Sequence, residues 1–290
     1  LLFVWFFSTL DLGKSSAQVP TVLTKDNIVS MGCATTATYC DLYNKWITSI
    51  ESDAFVNHTQ LQNLNLSYNQ LTSVDWVEFP DSLQNLYLDN NQLTSIDWVE
   101  FPDSVYDLGL DNNQLTSLDW VEFPSSLRYL NLFNNQLTSV DWVEFPSSLR
   151  YLNLFNNQLT SVDWVEFPDS LQNLGLGNNQ LTSVDWVEFP DSVYDLGLDN
   201  NQLTSLDWVE FPSFLRYLNL SFNCIDPLSL SQEDRDFITT RNYNSPIWMD
   251  EQYVCLWIEY NPSTSTTNPV TASLAPYWQA NKIQSLLDDN

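Results

Sequence analysis

A 22-residue period dominates this chain, with units beginning at Leu61, Leu83, Val105, Leu127, Leu149, Leu171, Val193 and Leu215. Each follows the pattern LxxLxLxxNxLxxV, with Val, Ile or Leu exchanging at its two ends, and the first seven continue with DWVEFP. One such unit cannot bury its own leucines, because its apolar edge has nothing to close against except the next copy. Alternating leucines such as Leu127, Leu130 and Leu132 predict a short strand with one buried face, and Leu137 and Val140 turn inward on the return path. Strands stacked in parallel sit ~4.8 Å apart, so eight of them line a face on the order of 38 Å long.

Position nine of every unit is asparagine, from Asn69, Asn91 and Asn113 through Asn135, Asn157, Asn179 and Asn201 to Asn223. At the end of a strand, backbone groups of neighbouring turns would otherwise lack partners. An amide carries donors and an acceptor and can bridge them. The motif LxxLxLxxNxL resembles the leucine-rich repeat over about Cys33 to Cys255. That resemblance implies an α/β leucine-rich-repeat solenoid, with a parallel β-sheet on the concave face, an irregular or 3-10 convex side, and disulfide-capped ends.

The ends depart from the period. The run from Leu1 to Leu10 followed by SSA reads as a signal peptide over 1–17, cleaved after Ala17, and the absence of an initiator Met suggests a fragment or trimmed chain. Residues 18–60 form an N-terminal cap with a degenerate first repeat, placed from Ile47 to Leu61. The seven full repeats occupy 61–214, the last repeat and C-terminal cap 215–257, and a Ser/Thr/Pro-rich tail or linker 258–290. Bridged cysteines need Cα atoms within about 7 Å, and the array separates Cys33 and Cys40 from Cys224 and Cys255 by far more. Pairing within each end is therefore expected, in an oxidising compartment. Sequons at Asn57, Asn65 and Asn219 agree with a secreted glycoprotein or one on the extracellular face of the plasma membrane.

With 37 acidic against 9 basic residues, the formal net charge of −28 repels nucleic acid and anionic lipid. No segment after the leader has the apolar length of a membrane span. Catalysis has little to use. The Asp119/Glu122 pair could do acid and base work, but it recurs in seven units, whereas an active site is normally one place. His58, the only histidine, reads as an exposed cap residue. The chain is expected not to be an enzyme and to need no cofactor or metal. One exception is calcium on the column Asp75, Asp97, Asp119, Asp141, Asp163, Asp185, Asp207, where like charges repel by about 0.8 kcal/mol per neighbouring pair in water-like surroundings.

The column Trp76, Trp98, Trp120, Trp142, Trp164, Trp186, Trp208 reads first as rings packed flat over the return path. Its alternative is an exposed strip suited to a partner or to self-association. The outward positions of LxxLxLxxN are the second, third, fifth, seventh and eighth, and the units differ there. They supply the candidate ligand-binding residues Gln84, Asn85, Tyr87, Tyr106, Asp107, Arg128, Tyr129, Asn131, Phe133, Arg150, Tyr151, Asn153, Phe155, Gln172, Tyr194, Asp195, Arg216 and Tyr217. Tyr and Arg are types enriched at interface hot spots. The FPSSLxxLxL style resembles the ectodomains of oomycete-type leucine-rich-repeat receptor-like proteins and kinases. That resemblance implies a recognition module for a protein, peptide or glycan. The alternatives are a self-associating wall or fibril component and, more remotely, an ice- or carbohydrate-binding array on Thr94, Thr116, Thr138 and Thr160.

Overall fold

The leucines of each unit close against those of the next. A computed structural model describes residues 21–206, 209–225 and 247–248 of the chain. Within it Leu64, Leu86, Leu108, Leu130, Leu152, Leu174, Leu196 and Leu218 form one buried column, and Leu66 to Leu220 form a second beside it.

Twelve short strands appear in the described residues: β1 (Thr21–Leu23), β2 (Tyr39–Asp41), β3 (Ile47–Ile50), β4 (Asn63–Asn65), β5 (Asn85–Tyr87), β6 (Asp107–Gly109), β7 (Tyr129–Asn131), β8 (Tyr151–Asn153), β9 (Asn173–Gly175), β10 (Asp195–Gly197), β11 (Tyr217–Asn219) and β12 (Ile247–Trp248). Ten of them make one parallel sheet in the order β12, β11 down to β4, then β2, while β1 and β3 pair separately. The period fixes the register, since Leu86 faces Leu108 and Leu108 faces Leu130 at steps of one unit.

The degenerate first repeat begins earlier than Ile47. Cys40 takes the buried strand position opposite Leu64, and its disulfide to Cys33, with Cα atoms 5.0 Å apart, does there what leucine packing does elsewhere. Cys224 is also disulfide-bonded; its expected partner Cys255, like the expected leader and tail, lies outside the described residues.

Two polar ladders hold the turns together, and a third set of hydrogen bonds shapes each turn from within. Asn91 accepts from the Leu71 amide at 3.0 Å and donates to the carbonyls of Leu66 and Leu88, and Asn113, Asn135 and Asn179 repeat this. Ser104 Oγ lies 2.6 Å from the carbonyls of both Asp81 and Leu83, as Ser148, Ser170 and Ser192 do one or more units on. Ser73, Ser95 and Ser117 accept from the amides of Asp75, Asp97 and Asp119. The LTS serines are thus structural.

The return path is irregular. A turn closes from Val77 N–H to Val74 O and another from Leu83 N–H to Pro80 O, repeated unit after unit. Between them the Phe side chains pack inward, with Phe123, Phe145, Phe167, Phe189 and Phe211 stacked at 6.1–6.4 Å between ring centroids. Strands repeat at ~4.8 Å, so the return side is the wider one. That wedge bends the stack and makes the sheet its concave face.

Candidate functional site

Strand alternation turns Leu130 and Leu152 into the core and aims their neighbours outward. On β7 and β8 this sets Tyr129 beside Tyr151, with ring centroids 6.4 Å apart. Phe133 stacks on Phe155 at 5.8 Å. Each Phe follows a bend pinned by the preceding Asn, since Asn131 Oδ1 accepts from Phe133 N–H and Asn153 Oδ1 from Phe155 N–H. Arg128 and Arg150 are exposed and make no ion pair among the described residues. Two nearly identical units thus bring two arginines, two tyrosines and two phenylalanines to the middle of the concave face.

Glycines in neighbouring units seat these large side chains. A Cβ on Gly177 would meet the Phe155 ring at 2.7 Å, and one on Gly109 would meet the Tyr87 ring at 3.2 Å. Neither glycine has a positive φ. Space, not backbone conformation, therefore selects glycine at Gly177, while at Gly109 the Tyr87 ring would have to give by a few tenths of an ångström.

Acidic groups flank the centre. Tyr87 donates to Asp107 Oδ2 at 3.0 Å, and Asn131 Nδ2 donates to Asp111 Oδ1 at 2.9 Å. Burial pushes the Asp107 carboxyl above the usual carboxylate range, and burial with Asp89 nearby does the same to Asp111. Burial, then the charge of Asp107, pushes the Tyr87 phenol up to about 12. On the far side, Asp195 accepts from Asn173 at 3.3 Å, and Asp199 accepts from Asn200 at 2.7 Å. Gln84, Tyr106, Gln172 and Tyr194 are half-buried along the face, while Arg216 and Tyr217 stand exposed near its C-terminal end. Asn85 is different: it is buried and its amide donates to Asn63 at 2.5 Å, which ties it into the sheet. The charged seventh positions Asp89, Asp111 and Asp199 belong to the face as well. Their variation between units was the available signal.

The eighth position takes a left-handed backbone in every unit, with Tyr68 and Phe222 there at φ 57° in the first and last. Asn90, Asn112, Asn134, Asn156, Asn178 and Asn200 have φ of 52–59°, the left-handed region that asparagine tolerates best after glycine. Four of their side chains also form a chain, with Asn134 donating to Asn112 at 2.7 Å, Asn156 to Asn134 and Asn178 to Asn156.

The convex side corrects two expectations. Trp76, Trp98, Trp120, Trp142, Trp164 and Trp186 are 60–82% exposed, and so do not lie flat over the backbone. Each follows Asp at the corner of the Val74–Val77 type of turn, which throws the ring outward. Trp76 and Trp98 stack at 5.9 Å; Trp208 and Asp207 lie outside the described residues. His58 is 1% exposed. It packs edge-on to Phe55, with Nε2 3.1 Å from the Cys33 carbonyl. Hydrogen bonding to the disulfide-closed loop draws it in.

Among the described residues, no three His, Cys, Asp or Glu side chains are grouped as a metal would require. Nor is any described helix long and apolar enough to cross a membrane. Of the sequons, Asn57 is exposed, whereas Asn65 and Asn219 are half-buried strand residues. Asn65 donates to Asp41 at 3.1 Å and accepts from Ser67 N–H, and Asn219 accepts from Ser221.

Models of the leucine rich repeat match residues 41–93, 81–137 and 103–159, and a two-copy leucine rich repeat model matches 147–190. Together these span 41–190, just over half of the 290 residues. No curated protein sequence matches the chain. Among solved structures, YopM from Yersinia enterocolitica is similar at 27% identity and TM-score 0.56, over 67% of this chain and 39% of that one. The leucine-rich repeat domain of APL1B is similar at 29% identity and TM-score 0.57, over 67% and 56%. An internalin C2 from Listeria monocytogenes, at 21% identity, TM-score 0.51 and coverage of 66% and 74%, shares the fold. The chain thus spans well under half of the YopM chain it resembles. Sequence period, parallel ladder and family match agree that this chain belongs to the leucine-rich repeat proteins.

Proposed function

We propose that this chain is an extracellular recognition module, secreted or displayed at the cell surface in a receptor-like protein, whose concave face binds a protein or peptide. The leucine-rich repeat is in general a protein-interaction scaffold without catalytic groups of its own. The observation that carries the reading is the central patch of Arg128, Tyr129, Phe133, Arg150, Tyr151 and Phe155. Its rings are paired, with Tyr129 exposed and Tyr151, Phe133 and Phe155 half-buried, and its arginines are exposed with no counter-ion among the described residues. Tyr and Arg that reach solvent at the middle of a rigid face are the side chains that dominate binding energy when a partner covers them.

Charge refines the partner. An arginine centre between Asp89, Asp107 and Asp111 on one side and Asp195 and Asp199 on the other suits a ligand with an acidic or aromatic centre and basic flanks. The disulfide-closed cap supports an oxidising compartment.

Peptides selected by display on the intact protein test the reading. Their binding should be lost on a variant carrying Tyr129→Ala and Tyr151→Ala, which leaves the core intact. If selected binders keep full affinity for that variant, the concave patch is not the site.

A second reading, a self-associating wall or fibril component, draws on the exposed tryptophans and is opposed by the carboxylates between them. Light scattering on the eluting protein separates the two. Concentration-dependent polymers favour self-association, and a constant monomer mass favours recognition.

A further inference from the structure

The convex edge of the first three full repeats carries an open groove lined by Trp76, Glu78, Trp98, Glu100, Trp120 and Glu122. Six described tryptophans lie along this edge, each 60–82% exposed. Indole rings in water forgo the burial that would stabilise the fold, and no core contact requires them, because Val and Phe of the same hexapeptide fill the interior. Each ring follows an Asp and precedes an exposed Glu by two residues. Within the repeats every Lys and Arg is at the second position of its unit, as Arg128, Arg150 and Arg216, so none interrupts this edge.

A row of exposed indole rings alternating with carboxylates is chemically suited to cations. The ring quadrupole attracts an ammonium or guanidinium over its face, and a nearby carboxylate adds an ion pair. A second copy of this chain would bring the same carboxylates against these. The net charge of −28 makes that encounter repulsive, and the same charge draws in a basic partner.

Spacing narrows the partner further. On this side the turns repeat at 5.9–6.4 Å, measured between stacked rings. Alternate residues of an extended peptide recur about every 6.7 Å, and less when the strand twists. One basic side chain at every second residue therefore falls near one Trp–Glu step after another.

We propose that the convex Trp–Glu edge is a second binding surface, independent of the concave face, which takes an extended basic peptide segment with Lys or Arg at alternate positions.

Titration of the intact protein with the synthetic peptide (Lys-Thr)6, followed by calorimetry and tryptophan fluorescence, tests this. Quenching with saturable binding that weakens as salt rises is expected. The peptide (Lys-Thr-Thr)4 spaces its cations wrongly and should bind less tightly, and (Glu-Thr)6 should not bind. The double variant Trp98→Ala with Trp120→Ala should weaken (Lys-Thr)6 by about tenfold. Glu100→Gln with Glu122→Gln should flatten the salt dependence. Tyr129→Ala with Tyr151→Ala should leave the affinity unchanged, which separates this surface from the concave one. The proposal is overturned if (Lys-Thr)6 binds no better than (Glu-Thr)6, if the tryptophan variant binds as the parent does, or if neutral oligosaccharides bind where the basic peptide does not. Self-association lost with the tryptophans, in the absence of peptide binding, would also overturn it.

Discussion

The Tyr87 phenol reaches across one step of the sheet to donate to Asp107, while its ring lies over Gly109 in the same neighbouring unit. One side chain thus occupies the space a residue would need in the next repeat and satisfies a carboxylate that burial disfavours. Near-identical units build a differentiated face through such couplings between neighbours.

Asp107 and Asp111 sit above the ordinary carboxylate range because they are partly buried. A carboxyl with a raised folded pKa holds its proton more tightly when folded. Its contribution therefore rises as pH falls through that value towards the unfolded one, about 3.9, and is unfavourable at neutral pH. Asp107→Asn, which keeps an acceptor for Tyr87, is expected to raise the melting temperature at neutral pH, with the gain shrinking as pH approaches about 4. Thermal melts across that range measure it.

For Tyr87 the direction is the same and the window alkaline. Its phenol, pushed up to about 12, stays neutral in the folded chain after an unfolded tyrosine, near 10, has ionised. The stability it contributes is complete below about 10 and is lost as pH climbs through the raised value. Ultraviolet titration of the parent and Tyr87→Phe should differ by one late-ionising phenol.

Asn134 and Asn135 are adjacent and do different work. Asn135 Oδ1 accepts from Leu115 N–H, and its amide donates to Leu110 and Leu132 carbonyls. Asn135→Ala should cost on the order of 3 kcal/mol in urea unfolding, because buried backbone groups lose their partners. Asn134, at φ 55°, should lose about 1 kcal/mol as Ala and less as Gly.

Trp142 has φ 66° and Trp76 φ 61°, values that bulky residues seldom adopt, whereas Trp98 is not among the positive-φ residues. Trp142→Asn should therefore stabilise the fold by up to about 1 kcal/mol, and Trp98→Asn should not. Denaturant midpoints of the two variants decide it.

Expression through a secretory pathway should glycosylate Asn57 in preference to Asn65 and Asn219, whose side chains are half-buried and hydrogen-bonded. Mass spectrometry of peptides after enzymatic deglycosylation reports occupancy at each site. Full occupancy of Asn65 would require its bond to Asp41 to break.

The sequence by itself determined the solenoid. A 22-residue period with leucines at fixed offsets leaves stacking as the one way to bury them, and the register follows because every unit repeats the same offsets. The role of Asn135 and the pairing of Cys33 with Cys40 were legible for the same reason: each follows from period and distance alone. Only the tertiary structure decided exposure and contact. That Trp142 faces water while Phe145 is buried depends on which side of a turn the chain leaves from, and both are apolar letters in one hexapeptide. That His58 is buried depends on the Cys33 carbonyl, 25 residues away, and that Asn134 holds a left-handed turn depends on its φ. Periodicity reports where the chain repeats. The volume left by the neighbouring unit, such as the space Gly177 leaves for Phe155, exists only once the units are stacked.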